Sequence, residues 1–319
     1  MNAAIVHSFD KPPQYGSFSE PVAAAHEAIV SVTAAGLHPL VRGLARGSHY
    51  GSSGSLPFVA GVDGVGRLAD GTRTFFVLPR SPFGSFAERS VAAQSTCLPL
   101  PEGLDDATAA GTANPGMSSW VALKSRAQLV AGESVLILGA TGSAGQLAIQ
   151  IAKRLGARRV IAAGRNVEES QLKKLGADVV ISMNQEQADL ISTYRKEWAE
   201  SGVDVVLDYL WGKPAETLLA AIAQKSLQQR ASRIRYVQIG SIAGEAITLP
   251  GATLRSSKLE ILGSGFGSAS MPEMLQGIAE FLEESAREPF QANIEPAPLR
   301  DVEALWVRRD QGTRLVFQP

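Results

Sequence analysis

Three glycines, Gly139, Gly142 and Gly145, stand three residues apart between an unbroken apolar run, Val135 to Leu138, and a segment in which Leu147, Ile151 and Leu155 recur every fourth residue. The run has the character of a parallel strand covered on both faces, and the recurrence that of a helix with one buried stripe. A glycine turn between two such elements brings backbone N–H groups and the positive end of the helix up to a phosphate, with no Cβ in the way. Gly139, Ala140, Thr141, Gly142, Ser143, Ala144 and Gly145 are therefore expected to meet the pyrophosphate of a dinucleotide. The spacing is G-x-x-G-x-x-G rather than the G-x-G-x-x-G fingerprint, so a tight turn without a ligand is the competing reading.

A second apolar run, Val160 to Ala163, ends at Gly164-Arg165-Asn166. In a doubly wound fold this place reads the adenosine ribose, and an acid there would bind the 2′-hydroxyl of NAD. No acid stands at it. Arg165, with Asn166 beside it, offers a guanidinium suited to a 2′-phosphate, which predicts NADPH as cofactor; a solvated loop arginine is the alternative.

The elements that must position these residues alternate. Candidate strands are Val135–Gly139, Val160–Ala163, Asp178–Ser182, Val203–Asp208, Tyr236–Gly240 and Leu259–Gly263, with amphipathic runs between the first four and again over Pro214–Lys225. This pattern predicts an α/β fold with a Rossmann-type doubly wound parallel sheet. Gly240, Ser241 and the turn Ser264, Gly265, Phe266 fall at the carboxyl ends of later strands, where the crevice of such a sheet lies. Upstream, short strands are expected at Ala3–Val6, Ala28–Thr33, Thr74–Leu78 and Ser85–Val91, with a glycine-punctuated strand and turn over Phe58–Arg67 and a Gly/Ser-rich surface loop over Gly47–Ser55. Asp105–Ala113 reads as one helix start, and Gly116–Lys124 opens the next. A helix over Pro272–Glu284 and a last segment, Arg314–Phe317, return to the β-rich part. The resulting domains are 1–114 with 269–319, and 115–268.

At 319 residues the chain is long enough for two domains, and 45% hydrophobic with 19% charged residues is ordinary for a globular protein. A formal net charge of −1 with no long basic run favours neither nucleic acid nor an anionic membrane as partner. Cys97 is the single cysteine, which excludes an internal disulfide and a Cys-rich metal site. The opening MNAAIVHSFD lacks the basic and apolar segments of a signal peptide, and no stretch reaches the ~18 apolar residues of a membrane span, so a cytoplasmic location is expected.

The order of parts resembles the medium-chain dehydrogenase/reductase superfamily, and the motifs agree along nearly the whole chain. FVAGVDGVGRL, ANPGMSSWVAL, GATGSAGQLAIQIAKRLGA with LKKLGADVVIS, VDVVLDYLWG, RYVQIGS and GTRLVFQP each fall where that family places its counterparts. The likeness is greatest to the zinc-independent NADPH:quinone oxidoreductases. It implies a GroES-like catalytic domain beside the nucleotide domain. It also implies a homodimer joined near Leu259–Gly263, and Ser118, Gly240, Ser241 and the Ser264–Phe266 turn near the nicotinamide. Where zinc enzymes of the superfamily hold their metal, this chain has Ala35-Gly36-Leu37 and Val62-Asp63, and the four-cysteine lobe is missing. No metal is expected.

Without a metal, reduction of a quinone or an α,β-unsaturated carbonyl is favoured, because a conjugated acceptor spreads the charge that develops. His38, Tyr50 and Ser118 are the catalytic candidates. His38 and Val41 replace an Asn and an Asp of the family pattern, and a structural histidine is the equal alternative for His38. Two other functions stay open: an alcohol or aldehyde oxidoreductase with His38 as acid-base group, and a non-catalytic NADPH-binding sensor or structural protein. Tyr209 and Lys213 spell the Y-x-x-x-K of short-chain dehydrogenases, but Gly212 and Pro214 argue against the continuous helix that pair requires.

Overall fold

A computed structural model of the chain describes residues 1–52, 54–223, 233–308 and 312–319. They form two compact units: Met1–Pro115 with Ile278–Pro319, here unit 1, and Gly116–Gly277, unit 2.

Unit 2 is a mixed α/β layer structure. Its strands are β9 (Ser134–Leu138), β10 (Arg159–Gly164), β11 (Val179–Ser182), β12 (Val205–Asp208), β13 (Arg233–Gln238) and β14 (Lys258–Gly263), following β1–β8 of unit 1. All neighbours are parallel and the order is β11-β10-β9-β12-β13-β14. All six strands are those anticipated from apolar runs. Val135 to Leu138, Val160 to Ala163 and Val205 to Leu207 are buried throughout, because helices cover the sheet and neither face needs a polar residue. The helices are α3 (Ser143–Arg154), α4 (Glu169–Lys174), α5 (Gln187–Ser201), α6 (Gly212–Ile222) and α7 (Gly251–Ser256). The amphipathic run assigned to Pro214–Lys225 is thus α6, and Gln224 and Lys225 lie outside the described residues. One core joins Leu136, Ile161, Tyr194, Val206, Leu218, Leu219 and Tyr236.

Unit 1 is the separate β-rich part. It contains β1 (Asn2–Val6), β2 (Gln14–Ser17), β3 (Glu27–Gly36), β4 (Phe58–Val59), β5 (Asp63–Arg67), β6 (Arg73–Val77), β7 (Arg89–Ala93) and β8 (Cys97–Pro99), with α1 (Pro39–Ala45) after β3. Its C-terminal portion adds β15 (Asn293–Pro298), the short α9 (Val302–Leu305) and β16 (Thr313–Gln318). β2-β1-β4 make a small antiparallel sheet, and a larger one runs β15-β16-β3-β5-β6-β8 with β7 also on β3. β16 pairs antiparallel with β3, Phe317 opposite Ala35, so the last residues of the chain complete a sheet begun near its start.

The chain passes between units within α2 (Asp106–Val121) and α8 (Met271–Arg287). α2 corrects the expectation of two helices. It is continuous through Pro115. The proline ring would crowd the carbonyl four residues back, which belongs to Gly111, and the fully buried Ala109, Ala110 and Ala113 anchor the preceding turns. The helix then widens into a π-turn over Ala122–Arg126.

Candidate functional site

In unit 2 the sheet grows in both directions from β9 and β12, so their carboxyl ends flank a topological switch point, the place where open α/β sheets hold ligands. The glycine turn lies there. Gly139 leaves β9 with φ +90°, a conformation that side chains rarely adopt. Its N–H and that of Ala140 donate to the Ala163 carbonyl at 2.9 and 3.0 Å, tying the turn to β10. Gly142 is the N-cap of α3, with no capping side chain, and Ser143 and Ala144 open the helix with no acid in its first turn. The N–H groups and positive dipole of such a helix start suit an anion.

Gly145 is required for a different reason. A Cβ there would lie 2.2 Å from the Gly139 carbonyl oxygen and 2.6 Å from Ala140 Cα, so the helix can sit this close to the turn only without one. Gly164 serves likewise, since its Cβ would stand 2.7 Å from Thr141 Cγ2. At Gly142 the nearest such atom is 3.7 Å away, which leaves space on the side where a phosphate would lie. These residues fit a dinucleotide pyrophosphate.

At the end of β10, Arg165 is exposed and has neither an ion-pair nor a hydrogen-bond partner among the described residues. Asn166 takes φ +50° and its Oδ1 accepts from Asn184 Nδ2 at 2.8 Å. Asn184, just past β11, is an addition that the sequence reading missed; its only signal was its place after a strand end. Lys173 is paired with Glu169.

At and beyond the carboxyl ends of β12, β13 and β14 lie Asp208, Gly240, Ser241 and the Ser264–Phe266 turn. Asp208 is fully buried, and its Oδ1 accepts from the N–H groups of Leu210 at 2.8 Å and Trp211 at 3.0 Å, its Oδ2 from the Tyr236 hydroxyl at 2.7 Å. Burial raises its carboxyl above the ordinary value, while those three bonds pull the other way. Gly240 approaches so closely that a Cβ would be 2.8 Å from the Tyr209 carbonyl oxygen. Ser241 is exposed, and its carbonyl accepts from Gly244 N–H. Ser264 N–H donates to the Gln238 carbonyl at 2.9 Å, and Gly265 exchanges bonds with Ser268 Oγ. The Phe266 side chain packs with Val121, Ala269 and Met274.

Ser118 and Ser119, late in α2, both hydrogen-bond Tyr209, and the Ser119 Oγ to Tyr209 Oη distance is 2.7 Å. Burial pushes the phenol up to about 12 against the lowering effect of the two serines. Tyr209 and Lys213 do not share a helical turn: α6 begins at Gly212, with Trp211 at φ +55° before it.

In unit 1, His38 stands at the N-cap position of α1 without a side-chain capping bond and is buried, with Nε2 at 3.3 Å from Asp63 Oδ1. Asp63 Oδ2 accepts from Asn114 Nδ2 at 2.6 Å. Gly36 makes room for this cluster, since a Cβ there would fall 2.7 Å from the imidazole and 2.5 Å from the Ala110 carbonyl oxygen. One imidazole, one carboxylate and one amide are a poor zinc set, and no group of three or more metal-ligating side chains occurs among the described residues. Tyr50 is 73% exposed and lies over His49, ring centroids 4.1 Å apart. Ser118 belongs to unit 2, and His38 and Tyr50 to unit 1.

Residues 144–282 match a family model described as zinc-binding dehydrogenase. A probable NADPH-dependent quinone reductase of Emericella nidulans is 29% identical over the full length of both chains. The quinone oxidoreductase of Rattus norvegicus is 32% identical over 60% of each. Among solved structures, the quinone oxidoreductase of Thermus thermophilus, also determined as its complex with NADPH, superposes over the whole of both chains with a TM-score of 0.80 at 26% identity.

Proposed function

The chain belongs to the medium-chain dehydrogenase/reductase superfamily, and we infer that it is an NADPH-dependent oxidoreductase that reduces a quinone or an α,β-unsaturated carbonyl without zinc. The observation that carries this reading is the glycine cradle at the β9–β12 switch point with Arg165, and no acid, at the end of the neighbouring strand. NADPH supplies the hydride. The protein binds the pyrophosphate at the α3 N-terminus, meets the 2′-phosphate with Arg165 and Asn166, and keeps the nicotinamide end against the backbone of Gly240, Ser241 and the Ser264–Phe266 turn.

Of the catalytic candidates, Ser118 stands with this cofactor machinery in unit 2. Tyr50, on an exposed loop, is assigned to acceptor contact, and His38 to the support of Asp63 and the α1 start. The absence of thiolate or paired-histidine ligands leaves charge on the acceptor to be met by hydrogen-bond donors, which favours conjugated acceptors over simple alcohols. Units 1 and 2 are assigned to the catalytic and cofactor roles respectively.

Two further assignments accompany this one. β14 is the edge strand of the six-stranded sheet and carries Ile261 at 36% exposure, which supports a homodimer joined along that edge. Sedimentation of the wild type as a dimer and of Ile261→Asp as a monomer is the expected result. A cytoplasmic location accords with a lone Cys97 whose thiol is held up by burial, and no helix among the described residues is long and apolar enough to cross a membrane.

The functional reading is tested by following NADPH oxidation at 340 nm with a simple quinone, a conjugated enone and a simple aldehyde, each repeated with NADH. Turnover of quinone or enone with NADPH is expected. Tight NADPH binding with no oxidation by any acceptor would replace the enzyme by a nucleotide sensor.

A further inference from the structure

Asp208 ends β12, and its oxygens take hydrogen bonds from every side of the switch point. The backbone carbonyl accepts from Ile239 N–H at 2.8 Å and from Gly240 N–H at 3.1 Å. The side chain takes the N–H groups of Leu210 and Trp211 on Oδ1 and the hydroxyl of Tyr236, on β13, on Oδ2. The segment after β12 and the segment after β13 are thus fastened to one fully buried residue. None of the roles assigned so far uses it.

The segment that the Asp208 side chain clamps is a wedge. Tyr209 N–H donates to the Leu138 carbonyl at 3.2 Å, which ties the wedge to the end of β9. On one side, a Cβ on Gly139 would stand 3.1 Å from Leu210 Cδ2 and 3.3 Å from Tyr209 Cβ; on the other, a Cβ on Gly240 would stand 2.8 Å from the Tyr209 carbonyl oxygen. The Leu210 carbonyl accepts from Ala243 N–H at 2.8 Å. The wedge therefore touches both the glycine that opens the phosphate turn and the glycine assigned to the nicotinamide end. It closes at Trp211, whose φ of +55° is a conformation that bulky residues disfavour and that the bond from its N–H to Asp208 helps to hold.

We propose that Asp208 is a positioning residue for the nicotinamide end of NADPH: its side chain holds the Tyr209–Trp211 wedge against Gly139 and Gly240, and so sets how far the phosphate turn stands from the backbone that faces the nicotinamide. This rests on the functional reading above. The adenosine end is independent of the clamp, because Arg165 and Asn166 follow β10, on the opposite side of β9 from β12. A loosened wedge leaves the phosphates bound and the nicotinamide displaced, and a displacement on the order of 1 Å slows hydride transfer roughly 100-fold.

The test compares wild type, Asp208→Ala, Asp208→Asn and Tyr236→Phe by calorimetric titration with NADPH and with 2′-phospho-ADP-ribose, which keeps the adenosine end and the pyrophosphate and lacks the nicotinamide ring. Wild type should bind NADPH the more tightly of the two. In Asp208→Ala that preference should shrink about 10-fold, with 2′-phospho-ADP-ribose held within about twofold of wild type. Asp208→Asn, which can make the same three side-chain bonds, should recover most of the preference. Tyr236→Phe removes one of the three bonds, should shrink the preference by less, and carries the test if Asp208→Ala does not fold. With a benzoquinone as acceptor, kcat of Asp208→Ala should fall about 100-fold, and the isotope effect from NADPH deuterated at the transferred position should rise as the hydride step becomes slower. An undiminished preference in Asp208→Ala and Tyr236→Phe would overturn the proposal, as would equal weakening of both nucleotides, which marks general loosening of unit 2. Asp208→Asn as impaired as Asp208→Ala would overturn it too, since charge and not the clamp would then matter. A wild type that binds neither nucleotide would remove the cofactor reading itself, a result distinct from a wild type that binds both and an Asp208→Ala protein that behaves like it.

Discussion

His38 Nε2 faces Asp63 Oδ1 at 3.3 Å within unit 1, with both side chains 2% exposed. Asn114 occupies the second carboxylate oxygen, while His38 Nδ1, His38 Nε2 and Asp63 Oδ1 are buried with no hydrogen-bond partner among the described residues. The approach sets the start of α1 beside β5, and Asn114 joins the same carboxylate to α2. His38→Ala removes a buried ring and is expected to lower stability by about 2 kcal/mol or more, read from urea denaturation, with NADPH affinity unaltered because the residues proposed to hold the cofactor lie in unit 2. Loss of turnover without loss of stability would instead make His38 the acid-base group of alcohol or aldehyde chemistry.

Asp208 gives a pH signature. Its carboxyl is raised above the ordinary 3.8, with burial the largest cause. The folded chain therefore holds that proton more tightly than the unfolded one. The stability this contributes is complete below the unfolded value and is lost as pH rises through the folded value. An asparagine can accept from Leu210 and Trp211 through Oδ1 and donate to Tyr236 through Nδ2, so Asp208→Asn should keep the loop. Its urea midpoint should lack the decline that wild type shows from roughly pH 4 upward. Asp208→Ala strands three donors and should cost at least about 2 kcal/mol. A parallel pH profile for Asp208→Asn and wild type would contradict this.

The contrast between these two clusters shows what a sequence exposes. The strand–glycine–helix unit around Gly139 is legible because its cause is local: an apolar run, a turn that excludes Cβ, and a fourfold stripe. β15 is not legible, since Asn293–Pro298 carries two prolines and few apolar side chains; it exists as the outermost strand beside β16, where missing N–H groups are tolerated. The Ser119–Tyr209 bond joins residues 90 apart, and the Asp208–Tyr236 bond joins neighbouring strands at their ends. No periodicity marks such contacts. His38 and Asp63 were each visible as polar residues, yet only the packing of β5 against the α1 start makes them a pair.

Two of the three turn glycines should respond differently to a methyl group. Gly145→Ala forces a Cβ to 2.2 Å from a backbone oxygen and should destabilise unit 2 outright, seen as a lowered thermal midpoint without any ligand. Gly142 has φ −77° and open space around it, so Gly142→Ala should fold as wild type. Its methyl would project where the pyrophosphate is assigned, and NADPH should bind about 10-fold more weakly or worse. A stable Gly142→Ala protein with full NADPH affinity would move the phosphate site elsewhere.

Arg165 is proposed to discriminate between the two nicotinamide dinucleotides. It is exposed at the end of β10 and has no ion-pair or hydrogen-bond partner among the described residues, so its guanidinium can turn to a ligand without breaking a protein contact. A charge-assisted bond to a 2′-phosphate contributes about 1.5–3 kcal/mol. Arg165→Ala should therefore weaken NADPH by roughly 10- to 100-fold and leave NADH within about twofold. The wild-type preference should also shrink as salt is added, because the site is open to solvent and its field is screened. Fluorescence titration of both cofactors, for both proteins, at low and high ionic strength measures all of this in one series. An equal loss for NADPH and NADH would show that Arg165 supports the β10 loop and that the phosphate is read by another residue, with Asn184 the next to be replaced.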